Sequence, residues 1–232
     1  MAEEYKTNLL KRIFTSIVII LPIVATILFA NIWIFSILIS IICLLAMVEW
    51  IKNKFNKIFF GFLLIFNFGF WSIYFISLGI SQGNALGTDN DFEVYFFYGL
   101  IIFNTALFDT FAYIIGSIFG ETYILKKISP NKTLEGLAGG LLASLLFGIL
   151  IMNTQEGYDH YLIVIYFILG GFFAFIGDLL ISYFKRLSEV KDTGAILPGH
   201  GGILDRIDSH LLATPLVIII TLLLWIYRTH TI

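Results

Sequence analysis

Long apolar runs alternate with short polar stretches along the whole chain. Seven such runs stand out, at residues 13–30, 32–49, 58–80, 94–120, 136–152, 161–181 and 209–227. A run of about 20 apolar residues is long enough to cross the hydrocarbon core of a bilayer as a helix. The pattern therefore predicts an all-α fold, a polytopic membrane helical bundle of about seven transmembrane helices.

The basic residues are distributed unevenly between the polar stretches. Of the 14 Lys and Arg residues, 13 flank alternate ends of the apolar runs, and only Arg228 falls on the other side. Loops rich in Lys and Arg stay in the cytoplasm. We therefore expect a cytoplasmic N-terminus, an external C-terminus and a retained first helix over 13–30 rather than a cleaved signal peptide.

Composition narrows the class of protein further. The chain is 59% hydrophobic and only 13% charged, and its formal net charge is −2. Cys43 is the single cysteine, so a disulfide or a cysteine-based metal site within the chain is excluded. We expect the lipid bilayer as the surrounding partner and no nucleic acid. We divide the chain into three N-terminal spans, 1–92, and a catalytic transmembrane region, 93–232.

Two aspartates lie within apolar sequence. Asp109 is about eleven residues from the cytoplasmic end of its run, on the order of 16 Å along a helix. A charged side chain at that depth costs roughly 2.5–3.5 kcal/mol on insertion scales, so Asp109 should face the bundle interior and have a partner. Asp178 precedes Ser182 and Lys185 by four and seven residues, which places all three on one helix face. Each aspartate could instead be a buried polar residue that fixes helix packing.

Chemistry is concentrated in the stretch 182–208, between the last two apolar runs. Its glycines, Gly199, Gly201 and Gly202, allow backbone N–H groups to approach an anion. Carboxylates such as Asp192, Asp205 and Asp208 are hard oxygen ligands suited to Mg²⁺. The cations suited to several phosphate charges are Lys185, Arg186, Lys191 and Arg206.

Simpler interpretations of the same residues remain open. Asp205 or Asp208 could cap the following helix. His200 could be a loop residue without a role. The basic residues could act as topology signals or bind anionic headgroups.

A second cytoplasmic loop, 121–136, carries Lys132 and Thr133, an ammonium and a hydroxyl suited to phosphate. Ser129 and Pro130 predict a helix start, with Ser129 as the N-cap and Pro130 at the first position. The sequence Asn131-Lys132-Thr133 matches the N-glycosylation pattern, but the predicted topology places it in the cytoplasm.

These residues together resemble the phosphatidate cytidylyltransferase (CDP-diacylglycerol synthase) family over roughly 105–215. The signature S-x-x-K-R-x₄-K-D-x-G, followed by P-G-H-G-G-x-x-D-R-x-D, is met from Ser182 to Asp208. Two shorter family patterns also fit, D-x-x-A-Y-x-x-G-x-x-F-G from Asp109 and S-P-x-K-T-x-E-G from Ser129. The chain departs from the family upstream, where it has fewer helices, and at Leu134, where Trp is common.

The resemblance implies transfer of a cytidylyl group from CTP to phosphatidate in phospholipid biosynthesis, with Mg²⁺ as the cofactor. It leaves open whether a second cation takes part. It implies a bacterial inner-membrane enzyme with its active site facing the cytoplasm, and it raises a homodimer as the assembly. Asp178 and Asp205 would bind metal. The catalytic set would be Asp178, Asp205, Lys185, Arg186, Asp208 and Asp109. The substrate-binding set would be Ser129, Lys132, Thr133, Ser182, Lys191, Asp192, His200, Gly201, Gly202 and Arg206.

Two other functions fit parts of the sequence. A CTP-dependent polyprenol or dolichol kinase would also join CTP to a membrane lipid, but the length of the signature argues against it. A small ion-coupled transporter would explain Asp109 and Asp178 as intramembrane ion sites. It leaves the charged stretch 182–208 unexplained.

Overall fold

The computed structural model describes residues 21–22, 24–26, 28–86, 91–153, 161–194 and 201–231. Seven helices are complete within these ranges. They are α1 (Ile32–Lys52), α2 (Ile58–Leu86), α3 (Asp91–Phe119), α4 (Leu134–Met152), α5 (Leu162–Leu187), the single turn α6 (Leu204–Ile207) and α7 (His210–Thr231). Of the predicted first run, residues 21–22, 24–26 and 28–29 are helical and 13–20 lie outside the described residues.

Six stretches of the described chain are long and apolar enough to cross a membrane. Five of them are α1 to α5, and the sixth runs through α6 and α7 over Leu204–Leu224. The predicted all-α membrane bundle is confirmed, and the protein is an integral membrane protein. The orientation of its ends stays a prediction.

Helix α1 has clear local start and stop signals. The side chain of Asn31 caps its N-terminus by accepting hydrogen bonds from the N–H groups of Trp33 and Ile34, at 3.0 and 3.2 Å. At the other end, the N–H of Asn53 donates to the Glu49 carbonyl at 3.0 Å. The helix ends at Lys52, in the same turn as Glu49, which is the one carboxylate in its sequence.

The described residues fall into two compact units. The first unit contains the residues up to Gly99 together with Phe184–Ile207. Helices α1 and α2 pack together in it, and a ring cluster of Trp50, Phe55 and Phe184 lies at the end of α1. The segment after α5 therefore packs with the N-terminal helices, although it is far from them in sequence.

The second unit contains Leu100–Tyr183 and the residues from Asp208 onward. Its core is built around Phe108, Ala174, Phe175 and Ala213. The grouping by packing differs from the predicted regions 1–92 and 93–232. That division concerned catalysis, which packing does not test, and it stays a prediction.

Glycines bring α3 and α4 close together in the second unit. A Cβ on Gly116 would lie 3.4 Å from the Cα of Gly136, and a Cβ on Gly136 would lie 2.6 Å from the Ala112 carbonyl oxygen. A larger residue at Gly136 would force the helices apart, whereas one at Gly116 would require the Thr133 hydroxyl, 3.1 Å from such a Cβ, to shift. The G-x-x-x-G pair Gly116 and Gly120 therefore serves close helix approach within the chain, as its spacing predicts.

Replacing Gly136 by Val should lower the free energy of unfolding by about 1–3 kcal/mol, because overpacking strains a tight helix contact. Unfolding of the purified protein in mixed micelles, followed by circular dichroism, measures the change. The matched control is Ala138→Val on the exposed face of α4. Equal stability of the two variants would contradict the packing described for Gly136.

Candidate active site

The end of α5 carries the predicted carboxylate, hydroxyl and ammonium on successive turns. Because α5 continues to Leu187 instead of ending near 181, Ser182 and Lys185 are both helical. The buried Ser182 hydroxyl donates to Asp178 Oδ1 at 3.2 Å. The predicted spacing of Asp178 and Ser182 on one face is therefore confirmed by a direct contact.

Lys132 forms an ion pair with Asp178. Its ammonium also lies 5.4 Å from the centre of the Phe175 ring, one turn earlier in α5. The backbone around Lys132 is held in place because its carbonyl accepts a hydrogen bond from the Ile124 N–H at 3.1 Å. The sequence predicted both residues as parts of one site, and the structure places them in contact.

The predicted helix start at Ser129 and Pro130 is wrong. Residues 129–132 form turns, and α4 begins at Leu134 with Thr133 as its N-cap. The physical reason is that the backbone before α4 is tied to the segment after α3: the Leu134 N–H donates to the Thr122 carbonyl at 2.8 Å. This tie keeps Thr133 extended, which is the conformation of a cap residue.

Thr133 is buried, with 4% of its surface exposed. Its hydroxyl oxygen accepts from the Gly136 N–H at 3.1 Å and lies in the glycine-lined contact of α3 and α4. The structure thus gives Thr133 a capping role. A phosphate contact by this hydroxyl stays a prediction.

Asp109 faces the interior of the second unit, as the cost of a membrane-embedded carboxylate predicts. It lies close to Ser209, and close enough to Lys132 and Asp178 to interact electrostatically. Its Oδ1 is buried without a hydrogen-bond partner among the described residues. Asp109, Lys132 and Asp178 therefore form one polar group within this unit.

A second lysine–aspartate pair lies in the first unit. Lys185 Nζ donates to Asp205 Oδ1 at 3.0 Å, and the two side chains are only 13% and 7% exposed. The other oxygen, Oδ2, accepts from the N–H groups of Thr193 and Gly202, at 2.7 and 3.0 Å. Asp205 therefore fixes Thr193 and Gly202 relative to each other instead of capping a helix start. These two residues belong to the glycine flanks, defined here as residues 193–194 and 201–202.

Glu49 is a residue of this region that sequence reasoning missed. Its carboxylate is 2% exposed and accepts from the Thr193 hydroxyl at 2.9 Å. It also accepts from the N–H groups of Ile203 and Leu204, at 2.9 and 2.8 Å. The available signal was an acid at the end of an otherwise apolar run, the same signal that singled out Asp109 and Asp178.

At two positions of the signature, the local structure explains why the residue is glycine. Gly201 has a φ of +82°, a conformation that side-chain-bearing residues rarely adopt. Gly202 is buried beside Thr193 and Glu49, and its N–H donates to Asp205. The predicted contact of these glycines with a triphosphate stays a prediction.

The remaining predicted residues lie in several settings. Asp208 is partly buried, and its Oδ1 accepts from the Ser209 N–H at 2.8 Å. Ser129 is partly buried in the turns before α4. His200 lies outside the described residues. The exposed members are Arg186, Lys191, Asp192 and Arg206.

Each unit contains a carboxylate whose chemistry would fit Mg²⁺, Asp205 in the first and Asp178 in the second. Within the described ranges, no group of three or more His, Cys, Asp or Glu side chains is arranged to hold a metal. Protein-bound Mg²⁺ commonly uses only one or two carboxylates and takes its other ligands from water and substrate phosphates. Asp178 and Asp205 are carboxylates of that kind, each beside a lysine.

The fold and these residues define a polytopic membrane protein that has charged residues suited to phosphate chemistry in each of its two units. Comparison with known families gives a specific match: the model of the Cytidylyltransferase family fits residues 53–224. That range includes every predicted site residue. This chain belongs to the cytidylyltransferase family.

Several bacterial relatives carry the name phosphatidate cytidylyltransferase. The protein of Staphylococcus haemolyticus is 36% identical over 202 residues, which cover 87% of this chain and 74% of that protein. The protein of Staphylococcus saprophyticus is 46% identical over 112 residues, 48% of this chain and 43% of its own. The Bacillus subtilis protein is 40% identical over 124 residues, 52% and 45% of the two chains. The last two matches thus span less than half of those relatives.

Removing the charge of Lys185 tests the pair with Asp205. Lys185→Met keeps the apolar stem but leaves the sheltered carboxylate without its cation, which should cost about 1–3 kcal/mol of unfolding free energy. Arg186→Met, one residue on and exposed, is the control. Chemical unfolding in micelles gives the unfolding free energy of both variants. If Arg186→Met is destabilised as much as Lys185→Met, the Lys185–Asp205 pair makes no specific contribution to stability.

Proposed function

We propose that this chain transfers the cytidylyl group of CTP to phosphatidate, forming CDP-diacylglycerol and pyrophosphate. The observation that carries the proposal is the family match over residues that hold two sheltered lysine–aspartate pairs, Lys132–Asp178 and Lys185–Asp205. The names of the bacterial relatives supply the substrate class.

The reaction requires little acid–base chemistry from the protein. A phosphate monoester has its second pKa near 6, so the phosphatidate headgroup is largely a dianion at neutral pH. One of its oxygens attacks the α-phosphorus of CTP, the bond from that phosphorus to the α,β-bridging oxygen breaks, and pyrophosphate leaves. Catalysis then consists of positioning two polyanions and stabilising the charge that develops.

The charged residues divide these tasks by chemical type. Lys132 and Lys185 would bind phosphate oxygens, because an ammonium in a sheltered site attracts an anion strongly. Asp178 and Asp205 would hold Mg²⁺. The bound Mg²⁺ would neutralise charge on the phosphates. Asp109, with one buried oxygen unpaired among the described residues, would orient Lys132 or a phosphate-bound water.

The site would face the cytoplasm, where CTP is available. The distribution of basic residues supports this orientation, since Lys132, in the loop before α4, and Lys185, in the last turn of α5, belong to the basic side of the chain. Because the relatives are bacterial proteins, we place the chain in the bacterial cytoplasmic (inner) membrane. Phosphatidate would enter laterally from the bilayer and present its headgroup to CTP at the cytoplasmic boundary.

A parallel assay with two radiolabels tests the proposed reaction. The purified protein receives Mg²⁺, phosphatidate and a polyprenol, with CTP labelled at either the α- or the γ-phosphate. We expect the α-label in the phosphatidate-derived lipid and the γ-label in pyrophosphate. Transfer of the γ-label to polyprenol would instead identify a lipid kinase, and release of neither label into any product would favour the transporter.

Asp178→Asn and Asp205→Asn should each lower kcat about 100-fold or more, because each removes a carboxylate that would hold Mg²⁺ and with it the neutralisation of charge on the phosphates. Both variants should still insert into the membrane and purify as the parent does. Asp91→Asn, an acid in the first turn of α3, controls for the loss of one negative charge. Near-normal turnover in either site variant would overturn its metal-binding assignment.

A further inference from the structure

We propose that Glu49 is a positioning residue that holds Thr193, Gly194 and residues 201–204 in place for CTP binding. The proposal rests on the proposed function, because it assigns these residues to the nucleotide. Glu49 precedes the residues 53–224 matched by the family, and the signature leaves Thr193 unspecified. The contact between these two residues is therefore a feature that the resemblance does not assign.

The burial of Glu49 indicates a specific requirement. A carboxylate removed from water is costly unless its oxygens receive hydrogen bonds. Here Oε1 accepts from the Ile203 N–H, while Oε2 accepts from the Leu204 N–H and the Thr193 hydroxyl. A bond to a charged acceptor is stronger than a neutral one, so these three contacts hold their donors firmly.

The three donors lie in or next to the two glycine flanks. Thr193 begins the first flank, and Ile203 and Leu204 follow directly after the second, which ends at Gly202. One carboxylate of α1 thus holds both flanks. Asn53, one helical turn after Glu49, adds a further tie by donating from its side-chain amide to the Thr193 carbonyl.

Thr193 connects Glu49 to the predicted metal ligand Asp205. Its hydroxyl donates to Glu49 and its backbone N–H donates to Asp205 Oδ2. Asp205 in turn accepts from Lys185. A shift of Thr193 would therefore move a hydrogen-bond donor of Asp205. Glu49 itself forms none of these bonds with Asp205 or Lys185, so it acts on Asp205 through Thr193.

Glycines of the two flanks leave room for the same carboxylate. A Cβ on Gly194 would lie 2.7 Å from Glu49 Oε1, and a Cβ on Gly202 would collide with both Glu49 and Thr193. Contacts this short cannot be relieved without moving the carboxylate. Part of the glycine content of the signature therefore makes room for Glu49.

The test uses the full chain in nanodiscs with four variants. Glu49→Gln keeps the shape but leaves one oxygen and an amide that cannot accept from the same donors. Thr193→Val replaces only the hydroxyl with a methyl group, and it provides the test if Glu49→Gln fails to fold. Thr193→Ser retains the hydroxyl, and Lys52→Gln changes an exposed charge on the same helix.

Two kinds of measurement separate positioning from general damage. Glu49→Gln and Thr193→Val should raise the KM for CTP about 10-fold to 100-fold, as loss of an outer-shell partner does. The KM for phosphatidate should stay near that of the parent. Hydrogen exchange at the amides of residues 201–204 should speed up in both variants, while Thr193→Ser and Lys52→Gln resemble the parent in every readout.

The outcomes distinguish this proposal from the proposed function. If the parent turns over no lipid, the function fails, and hydrogen exchange together with equilibrium binding of Mg²⁺–CTP still decides the role of Glu49. Faster exchange with weaker nucleotide binding supports it. An unchanged affinity for CTP in folded Thr193→Val, or equal rises in both KM values, would overturn it.

Discussion

A buried carboxylate at the end of α1 joins parts of the first unit that are distant in sequence. Glu49 lies among apolar residues at the end of a membrane helix, where its charge must be met by hydrogen-bond donors. The donors it finds are two backbone N–H groups and a hydroxyl from a segment more than 140 residues later in sequence. These bonds tie residues 193, 203 and 204 to α1, in the unit that groups Phe184–Ile207 with the N-terminal helices.

The same physical rule organises the second unit. Asp178 is matched by Lys132 and by the Ser182 hydroxyl, and Asp109 is matched by Ser209. Each unit therefore carries one lysine–aspartate pair that combines an anion-binding group with a possible metal ligand. A sheltered setting strengthens both interactions, because charges attract more strongly where water is sparse. For an enzyme that joins a soluble nucleotide to a lipid phosphate, these are the required chemical parts.

Much of this arrangement could be predicted from the sequence. Apolar length located α1 to α5 and α7 to within several residues, and i, i+4 spacing anticipated the contact of Asp178 with Ser182. The start of α4 was misassigned, because the hydrogen bond from Leu134 to Thr122 outweighs the local preference of Ser129 and Pro130. Glu49 escaped notice because its partners are distant in sequence and mostly backbone groups, which leave no pattern in side-chain identity.

In its proposed role, Glu49 acts on the nucleotide through Thr193. A double-mutant cycle tests it directly, with the Mg²⁺–CTP dissociation constant measured for the parent, Glu49→Gln, Thr193→Val and the double variant. Residues joined by a direct hydrogen bond are coupled, so their effects do not add. We expect the double variant to bind CTP about as well as Glu49→Gln alone. Effects that multiply independently would contradict it.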